Sequence, residues 1–568
     1  MRFVRTVVTT LTAGLVVAQS AVVAQAATDP FDTYSHQQLA WGPCLFRPSP
    51  QASVAECASV TVPRDWARPD SGVDLQVNIS RVKATRQHTG VILTNPGGPG
   101  GQGTPLAGLL AALEPSVSQV YDFIGMDPRG TGFAGGTAPG QTPSVCNIPT
   151  GRLSTRTDLD ARDRSADSIA EHQKAPRAIA EACQSVAVTP YITTWQTAHD
   201  MELIRILLGE STLNYLGYSY GTWLGAKYTS LFPASAGKII LDSSTNWQGR
   251  LDAAFEFFPV TDQRQLDDVF LPWASRQFPD LVGSTPDAAK KTWEDVRAFY
   301  KSQGVSGDDY DVVFVGNGNA NSWRNAALVL TEGAKGLKGG TVTAQSPDLQ
   351  AQLDAEARAT YGVPLEQLTV AKIAAALQPD YIPVGLTRYA VACSDQPTKS
   401  SAFYKRLSDQ QGPRYPLFGW LYGLSEACGF WSDAPQQTLP NLPPQAAGKV
   451  LVIQGEFDPQ TGYEQAQAAV RAAPGVSLVS VDDSAFHGQY AIQGNPCVDG
   501  MVNVYLLRNS RPGNSLCPGV PLPGETQVFP VAGPVKQPRA QAAAAAAVPS
   551  SALREQTADF IGKVNSVR

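Results

Sequence analysis

Leu213-Asn214-Tyr215-Leu216-Gly217-Tyr218-Ser219-Tyr220-Gly221-Thr222 decides the reading of this chain. Leu213–Leu216 reads as a short buried strand and Thr222–Leu231 as a helix, so Gly217-Tyr218-Ser219-Tyr220-Gly221 is the turn between them. A strand that passes at once into a helix strains the backbone at its middle residue. It leaves no room for Cβ atoms on either side, which is why glycines flank the serine. The turn lifts the Ser219 hydroxyl into the open and aims the helix N-terminus at it. A bare G-x-S-x-G arises by chance in a chain with 50 glycines, and the strand-to-helix setting is what makes this one a candidate nucleophile.

A serine hydroxyl attacks poorly until a base takes its proton, and the chain has five histidines to offer. His36 lies near the start, His88 in a polar stretch, His172 in a charged helix and His199 beside Asp200 on the helix before the elbow strand. His487 stands apart, after the strand-like Ser477–Val481 and near the end of the core pattern. The chain order nucleophile, acid, histidine selects it over the bland reading of a surface-loop histidine. The acid belongs on the loop after the preceding strand. There Val450–Ile453 leads into Gln454-Gly455-Glu456-Phe457-Asp458-Pro459, which makes Asp458 the acid and Glu456 its alternate. A buried carboxylate at Asp458 would bond Nδ1 of His487, fix its tautomer and stabilise the imidazolium, with Thr461 helping to orient it. Asp482 and Asp483 lie too close to His487 in sequence for that role and read as solvated loop charges.

An acyl-transfer intermediate also needs preorganised N–H donors. Asn95-Pro96-Gly97-Gly98-Pro99-Gly100-Gly101 follows the strand Val91–Thr94 and lets backbone approach a substrate, so Gly98 and Tyr220 are the candidate oxyanion donors. A phosphate loop is the rival, but the lysine and hydroxyl of G-x-x-x-x-G-K-[ST] are missing and the prolines remove donors. In a second glycine-rich turn, Gly125–Gly132, Asp127 and Arg129 read as braces of the loop beneath the site.

Further apolar runs recur as Phe123–Met126 and Ile239–Leu241, with helical spacing between several of them, notably Thr197–Leu208. That order indicates an α/β fold with a largely parallel sheet. Ala58–Val62 and Val73–Val82 alternate like antiparallel strands, so a mixed sheet is expected. Between about Trp247 and Pro444 the strand pattern gives way to helix formers, among them Leu251–Phe258, Pro286–Ser302, Ser322–Leu337, Leu349–Tyr361 and Leu365–Leu377. Strand-like sequence resumes at Gly448, which favours a helical insertion over a separate domain. The expected organisation is a leader over 1–26, core over 27–246, a helical cap over 247–444, core again over 445–520 and a Pro/Ala-rich tail over 521–568, linker-like or loosely docked.

Composition sets the outer bounds. The chain has 568 residues, 43% hydrophobic and 17% charged, which excludes disorder and collagen. Its formal charge is −6, and it falls by two more if a leader carrying Arg2 and Arg5 is removed, which disfavours a nucleic-acid partner. Arg2 and Arg5, an apolar run from Leu11 to Val23 and Ala24-Gln25-Ala26 make a signal peptide, too interrupted by polar residues for a membrane anchor. A released, extracellular product is expected. Cys44, Cys57, Cys146, Cys183, Cys393, Cys428, Cys497 and Cys517 form an even set that favours disulfides in an exported chain. Sequential pairs close the shortest loops. No C-x-x-C occurs and no histidine lies within a few residues of these cysteines, so zinc is the weaker reading.

Together NPGGPGG (95–101), DPRGTG (127–132), DMELIRILLGESTLNYLGYSYGT (200–222), GEFDPQT (455–461) and FHG (486–488) resemble the α/β hydrolases of the proline iminopeptidase clan. Within that clan they are most similar to the secreted tripeptidyl aminopeptidase-like enzymes of actinobacteria, over roughly residues 40–520. Gly462 stands where that family often has proline, and Phe486 where glycine is usual. The resemblance implies an α/β-hydrolase fold with a helical cap, no metal or organic cofactor, and a serine exopeptidase that removes short peptides, often tripeptides, from free N-termini. It also implies cap carboxylates that hold the substrate ammonium, for which Asp395 and Glu426 are the candidates. The same triad would serve a carboxylesterase or lipase, and a non-catalytic binding protein on this fold is the alternative of another class.

Overall fold

A computed structural model describes residues 29–132, 145–377, 384–535 and 552–565. The expected leader, residues 1–26, lies outside the described residues.

Ten strands form one sheet. In chain order they are β1 (Gly42–Pro43), β2 (Glu56–Pro63), β3 (Asp74–Val82), β4 (Gly90–Asn95), β5 (Tyr121–Met126), β6 (Leu213–Tyr218), β7 (Ala236–Asp242), β8 (Val450–Gly455), β9 (Ser477–Asp482) and β10 (Ser515–Pro518). The spatial order is β1-β2-β3-β5-β4-β6-β7-β8-β9-β10. The first three strands are antiparallel, and from β5 to β10 every pairing is parallel. Every residue of β4, β5, β6 and β8 is buried, as continuous apolar runs covered on both faces require.

From β4 the chain moves outward to β5, then returns to the other side of β4 to build β6. Strand order reverses there, and in open parallel sheets the crevice above such a point is where ligands bind. Register pairs Asn95 with Gly217 across β4 and β6, so the glycine-rich loop and the serine turn leave the sheet side by side.

Helix α1 (Thr104–Leu113) follows β4, α2 (Thr194–Leu207) precedes β6, and α3 (Tyr220–Leu231) grows directly from the serine turn. The insertion begins after β7 with Leu251–Phe255 and α4 (Phe258–Arg264) and includes α5 (Ala320–Lys338). It has its own apolar core, in which Trp273, Trp293 and Trp323 are fully buried. That core also contains Phe457, Ala485 and Phe486 from the two loops at the end of the sheet. The expected helix over Leu365–Leu377 is a short 3-10 turn, Leu365–Gln367, followed by a helix over Val370–Ala376. Thr369 breaks it, because its side chain accepts from the Lys372 N–H as an N-cap.

Helix α6 (Pro496–Arg508) follows the His487 loop, and α7 (Ala552–Asn565) ends the described chain. The tail is therefore not wholly linker-like: Thr557 and Ile561 of α7 are fully buried. The eight cysteines form sequential disulfides, Cys44–Cys57, Cys146–Cys183, Cys393–Cys428 and Cys497–Cys517. No helix among the described residues is long and apolar enough to cross a membrane.

Arg129 braces the core as expected. Its Nε and Nη2 donate to both oxygens of Asp200 at 2.7 and 2.5 Å, and Nη1 donates to the carbonyls of Arg64 and Tyr191. Trp66 Nε1 also donates to Asp200, at 2.7 Å, and Arg129 and Asp200 have no solvent exposure. Asp127 takes the N–H and hydroxyl of Thr104 at 3.0 and 2.9 Å, which fixes the start of α1. Removing one member of a buried pair leaves a charge that nothing compensates. Arg129→Ala is expected to lower stability by about 3–5 kcal/mol, read from the urea midpoint.

Candidate active site

Ser219 sits at φ 57°, ψ −124°, a backbone state that non-glycine residues rarely adopt. The surroundings dictate it. A Cβ at Gly217 would lie 2.5 Å from the Gly221 carbonyl oxygen, and one at Gly221 would lie 2.9 Å from Asn95 Oδ1. Only glycine fits either side, because the end of β4 presses on the turn. The Ser219 N–H donates to the Asp242 carbonyl at 3.0 Å, and its own carbonyl accepts from Thr222 N and Oγ1. As the first residue of α3, Tyr220 has an N–H with no intrahelical acceptor, and it follows directly on the nucleophile candidate. Across the turn, Gly97, Gly98 and Gly100 all have positive φ, and Asn95 Oδ1 accepts the Gly97 N–H at 2.9 Å.

His487 and Asp458 meet as expected. His487 Nδ1 lies 2.9 Å from both oxygens of Asp458. The carboxylate also accepts from the N–H groups of Gln460 and Thr461 and from the Thr461 hydroxyl, each at 2.9 Å. Both side chains are fully buried. Glu456, the alternate acid, points elsewhere: it accepts from the N–H groups of Asp483 and Val535, and burial pushes its carboxyl up to about 8. Asp482 and Asp483 are half-buried beside it rather than solvated, and Asp483 takes the Val531 N–H. Tail residues cover this corner, so the two acids are not the solvated loop charges expected from the sequence.

The loop that carries His487 is tied to the strand ends beside the serine turn by residues that the sequence does not single out. Asp242, at the end of β7, accepts the N–H groups of Gln489 (3.0 Å) and Tyr490 (2.7 Å). The Ser243 hydroxyl accepts the Gly488 N–H at 2.6 Å, and the Tyr218 hydroxyl donates to the Tyr490 carbonyl at 2.9 Å. A Cβ at Gly488 would be 3.4 Å from the Tyr218 ring. The residue after His487 thus touches the residue before Ser219. Nε2 of His487 is buried and has no hydrogen-bond partner among the described residues. This is the nitrogen that would face a hydroxyl nucleophile, and such contacts often tighten only when substrate binds.

The cap grips the same loop. The His487 N–H donates to the Gly318 carbonyl at 2.9 Å, and a Cβ at Gly318 would lie 2.6 Å from the His487 Cβ. Asp262 of α4 accepts the Gly316 N–H at 2.7 Å, Gln460 Nε2 donates to the Gly316 carbonyl, and Gln265 bridges the carbonyls of Asn317 and Ala485. Phe486 packs edge-on against Trp323, with ring centroids 5.8 Å apart. Gly462 faces Phe257, whose ring would lie 2.6 Å from a Cβ there. Both departures from the family pattern are thus filled by cap side chains.

Asp395 and Glu426 are turned to internal donors. Asp395 takes the Thr194 N–H at 2.8 Å and Trp223 Nε1 at 3.1 Å, and Glu426 takes the Cys428 N–H at 3.0 Å. Burial lifts Asp395 to about 6. Two groups of side chains have metal-like spacing among the described residues, but neither offers open ligands. In one, Cys393 and Cys428 are joined as a disulfide, and in the other both Glu456 oxygens take backbone N–H groups.

A family model described as TAP-like protein matches residues 415–517, the stretch that carries Asp458 and His487. The chain is 28% identical to the tripeptidyl aminopeptidase of Streptomyces lividans over 478 residues, covering 80% of this chain and 81% of that one. The fold is that of an α/β hydrolase, and the matched stretch is its TAP-like part. The chain is also 24% identical over 508 residues to serine protease Hip1 of Mycobacterium tuberculosis, covering 84% and 90% of the two chains. A carboxylesterase B of the same species is 26% identical over 516 residues, covering 84% and 89%. A solved proline iminopeptidase from Mycobacterium smegmatis overlaps 79% of this chain and 98% of its own at 14% identity, with a TM-score of 0.29. Strand order and register carry the fold. The chain is a serine hydrolase.

Asp242 is the residue to test for its hold on the His487 loop. Asp242→Ala leaves two buried N–H groups without an acceptor, at a cost of about 1–3 kcal/mol each. Activity on a small ester is expected to fall at least tenfold, with Asp242→Asn retaining more. Burial raises the Asp242 carboxyl from 3.8 to about 8. In the window between those values the folded chain binds the extra proton, so this group's contribution is full below about pH 4 and is lost as pH rises through 8. Denaturation measured from pH 4 to 8 should therefore give a flatter stability profile for Asp242→Asn than for the parent.

Proposed function

We propose that this α/β hydrolase is an exported serine exopeptidase that releases short peptides, in the first instance tripeptides, from free N-termini. Ser219 attacks the scissile carbonyl while His487 takes its proton at Nε2. Asp458 holds the Nδ1–H tautomer and stabilises the imidazolium as it forms. Amides at Gly98 and Tyr220 receive the developing oxyanion, where fixed donors in a dry site count for more than they would in water. His487 then returns the proton to the leaving amine, and water repeats the cycle on the acyl-enzyme.

The observation that carries this reading is the fully buried His487–Asp458 pair, 2.9 Å apart, on a loop tied to the strand end next to Ser219. The named activities of the Streptomyces and Hip1 relatives support a peptide substrate. Four disulfides support an oxidising, extracellular destination. The carboxylesterase B relative keeps an ester substrate as the second reading. The acid that would hold the substrate ammonium is left unassigned, because Asp395 and Glu426 already serve internal donors.

Ser219→Ala and His487→Ala are each expected to lower kcat by about 10⁴–10⁶, as when comparable triads are broken. Rates on a tripeptide anilide, its N-acetylated form and a p-nitrophenyl ester separate the readings. An aminopeptidase loses the acetylated anilide and keeps the free one. An esterase cleaves the ester and neither anilide, and that result would replace the peptidase reading.

A further inference from the structure

Helix α7 lies beside the loops that surround Ser219. The Gly97–Gly101 turn and the His487 loop flank Ser219, and the chain runs from them into α1 and α6 respectively. A linear substrate threaded past Ser219 on that side would have to pass between the two loops.

The C-terminal end of α7 packs against the glycine-rich turn and the cap. A Cβ at Gly101 would collide with Val564 Cγ1, so the helix abuts the residue whose N–H closes the Gly98 turn by donating to the Gly97 carbonyl. A Cβ at Gly562 would collide with Asn319 Nδ2, and Asn319 directly follows Gly318, the acceptor of the His487 N–H. Toward its start, Arg554 Nε donates to the Ala491 carbonyl at 3.3 Å, which lays α7 along the stretch joining His487 to α6. The helix thus touches the oxyanion-side turn, the cap and the histidine-side loop at once.

Its docking is shallow. The buried stripe is Thr557, Ala558, Ile561 and Gly562, with Ile561 its only large side chain, and Phe560 packs half-buried against the same core. Polar ties hold the outer edge, Glu555 to Arg324 at 3.2 Å and Gln556 to Ser49 at 2.6 Å. A helix that served mainly to complete the core would bury more large apolar side chains, and the sheet is already complete at Pro518.

We propose that α7 is a specificity-determining wall: it stops the cleft between the Gly98 turn and the His487 loop, so that a bound peptide can extend without limit from Ser219 in one direction and only a short way in the other. Restriction to chain ends follows from this helix, and the inference rests on the peptidase reading above.

The test compares kcat/KM on an N-acetylated octapeptide with kcat/KM on p-nitrophenyl acetate. Ile561→Asp undocks the helix without touching the triad. It is expected to leave the acetate ester within twofold and to raise the octapeptide-to-ester ratio at least tenfold, with cleavage at internal bonds seen by mass spectrometry. An unchanged ratio, or an equal fall on both substrates, would make α7 a brace and overturn the proposal. Should Ile561→Asp fail to fold, the double variant Arg554→Ala with Glu555→Ala cuts polar ties alone. A ratio raised at least threefold is then expected, and no change counts against the wall. Failure of the peptidase reading is separately visible: the parent protein would cleave p-nitrophenyl acetate but not the free tripeptide anilide.

Discussion

A single buried carboxylate, Asp242, links the strand end that receives the nucleophile turn to the loop that carries the base. Its side chain takes the N–H groups of Gln489 and Tyr490, and its carbonyl takes the N–H of Ser219. Ser219 and His487 are 268 positions apart in sequence, and their relative placement must survive the thermal motion of two loops. Hydrogen bonds from both loops to one residue of a central strand give that placement a rigid reference. The arrangement is costly, since burial lifts the Asp242 carboxyl to about 8, and the backbone donors offset part of that cost.

The cap is the second constraint, and it acts on the same loop from above. His487 donates its N–H to Gly318, Phe486 packs on Trp323, and Asp262 and Gln460 hold the Gly316 peptide from either side. The catalytic histidine candidate is therefore clamped between sheet and cap. A cap whose core includes Phe457 and Phe486 cannot swing as an independent body without disturbing the imidazole.

Much of the sheet was legible because continuous apolar runs bounded by turns leave few alternatives. Val91–Thr94, Leu213–Gly217, Ile239–Leu241 and Val450–Ile453 all lie within strands of the sheet. The serine turn was legible because two glycines at fixed spacing announce a backbone that tolerates no side chain, and the contacts at Gly217 and Gly221 bear this out. Asp242 was not legible. It ends an ordinary strand, and nothing local marks an aspartate that will meet backbone 247 residues downstream. Asp395 and Glu426 misled for the converse reason: an acid in the insertion looks the same in sequence whether it faces the cleft or an internal N–H.

Local chemistry by itself determined which residue types could act. The strained turn at Ser219, the acid loop ending in Asp458 and the late His487 follow from short-range sterics and chain order. Tertiary structure decided which of two acids reaches the imidazole, how the cap holds it, and where the tail goes. Glu456 and Asp458 are two residues apart, yet one takes tail and loop amides and the other the histidine. The tail read as linker-like or loosely docked because it is Pro-rich and then carries an Ala run before α7. Only the surface offered by Gly101 and Asn319, far away in sequence, gives the helix something to pack against. Burial of that kind is a property of pairs of distant segments, and no window of sequence contains both.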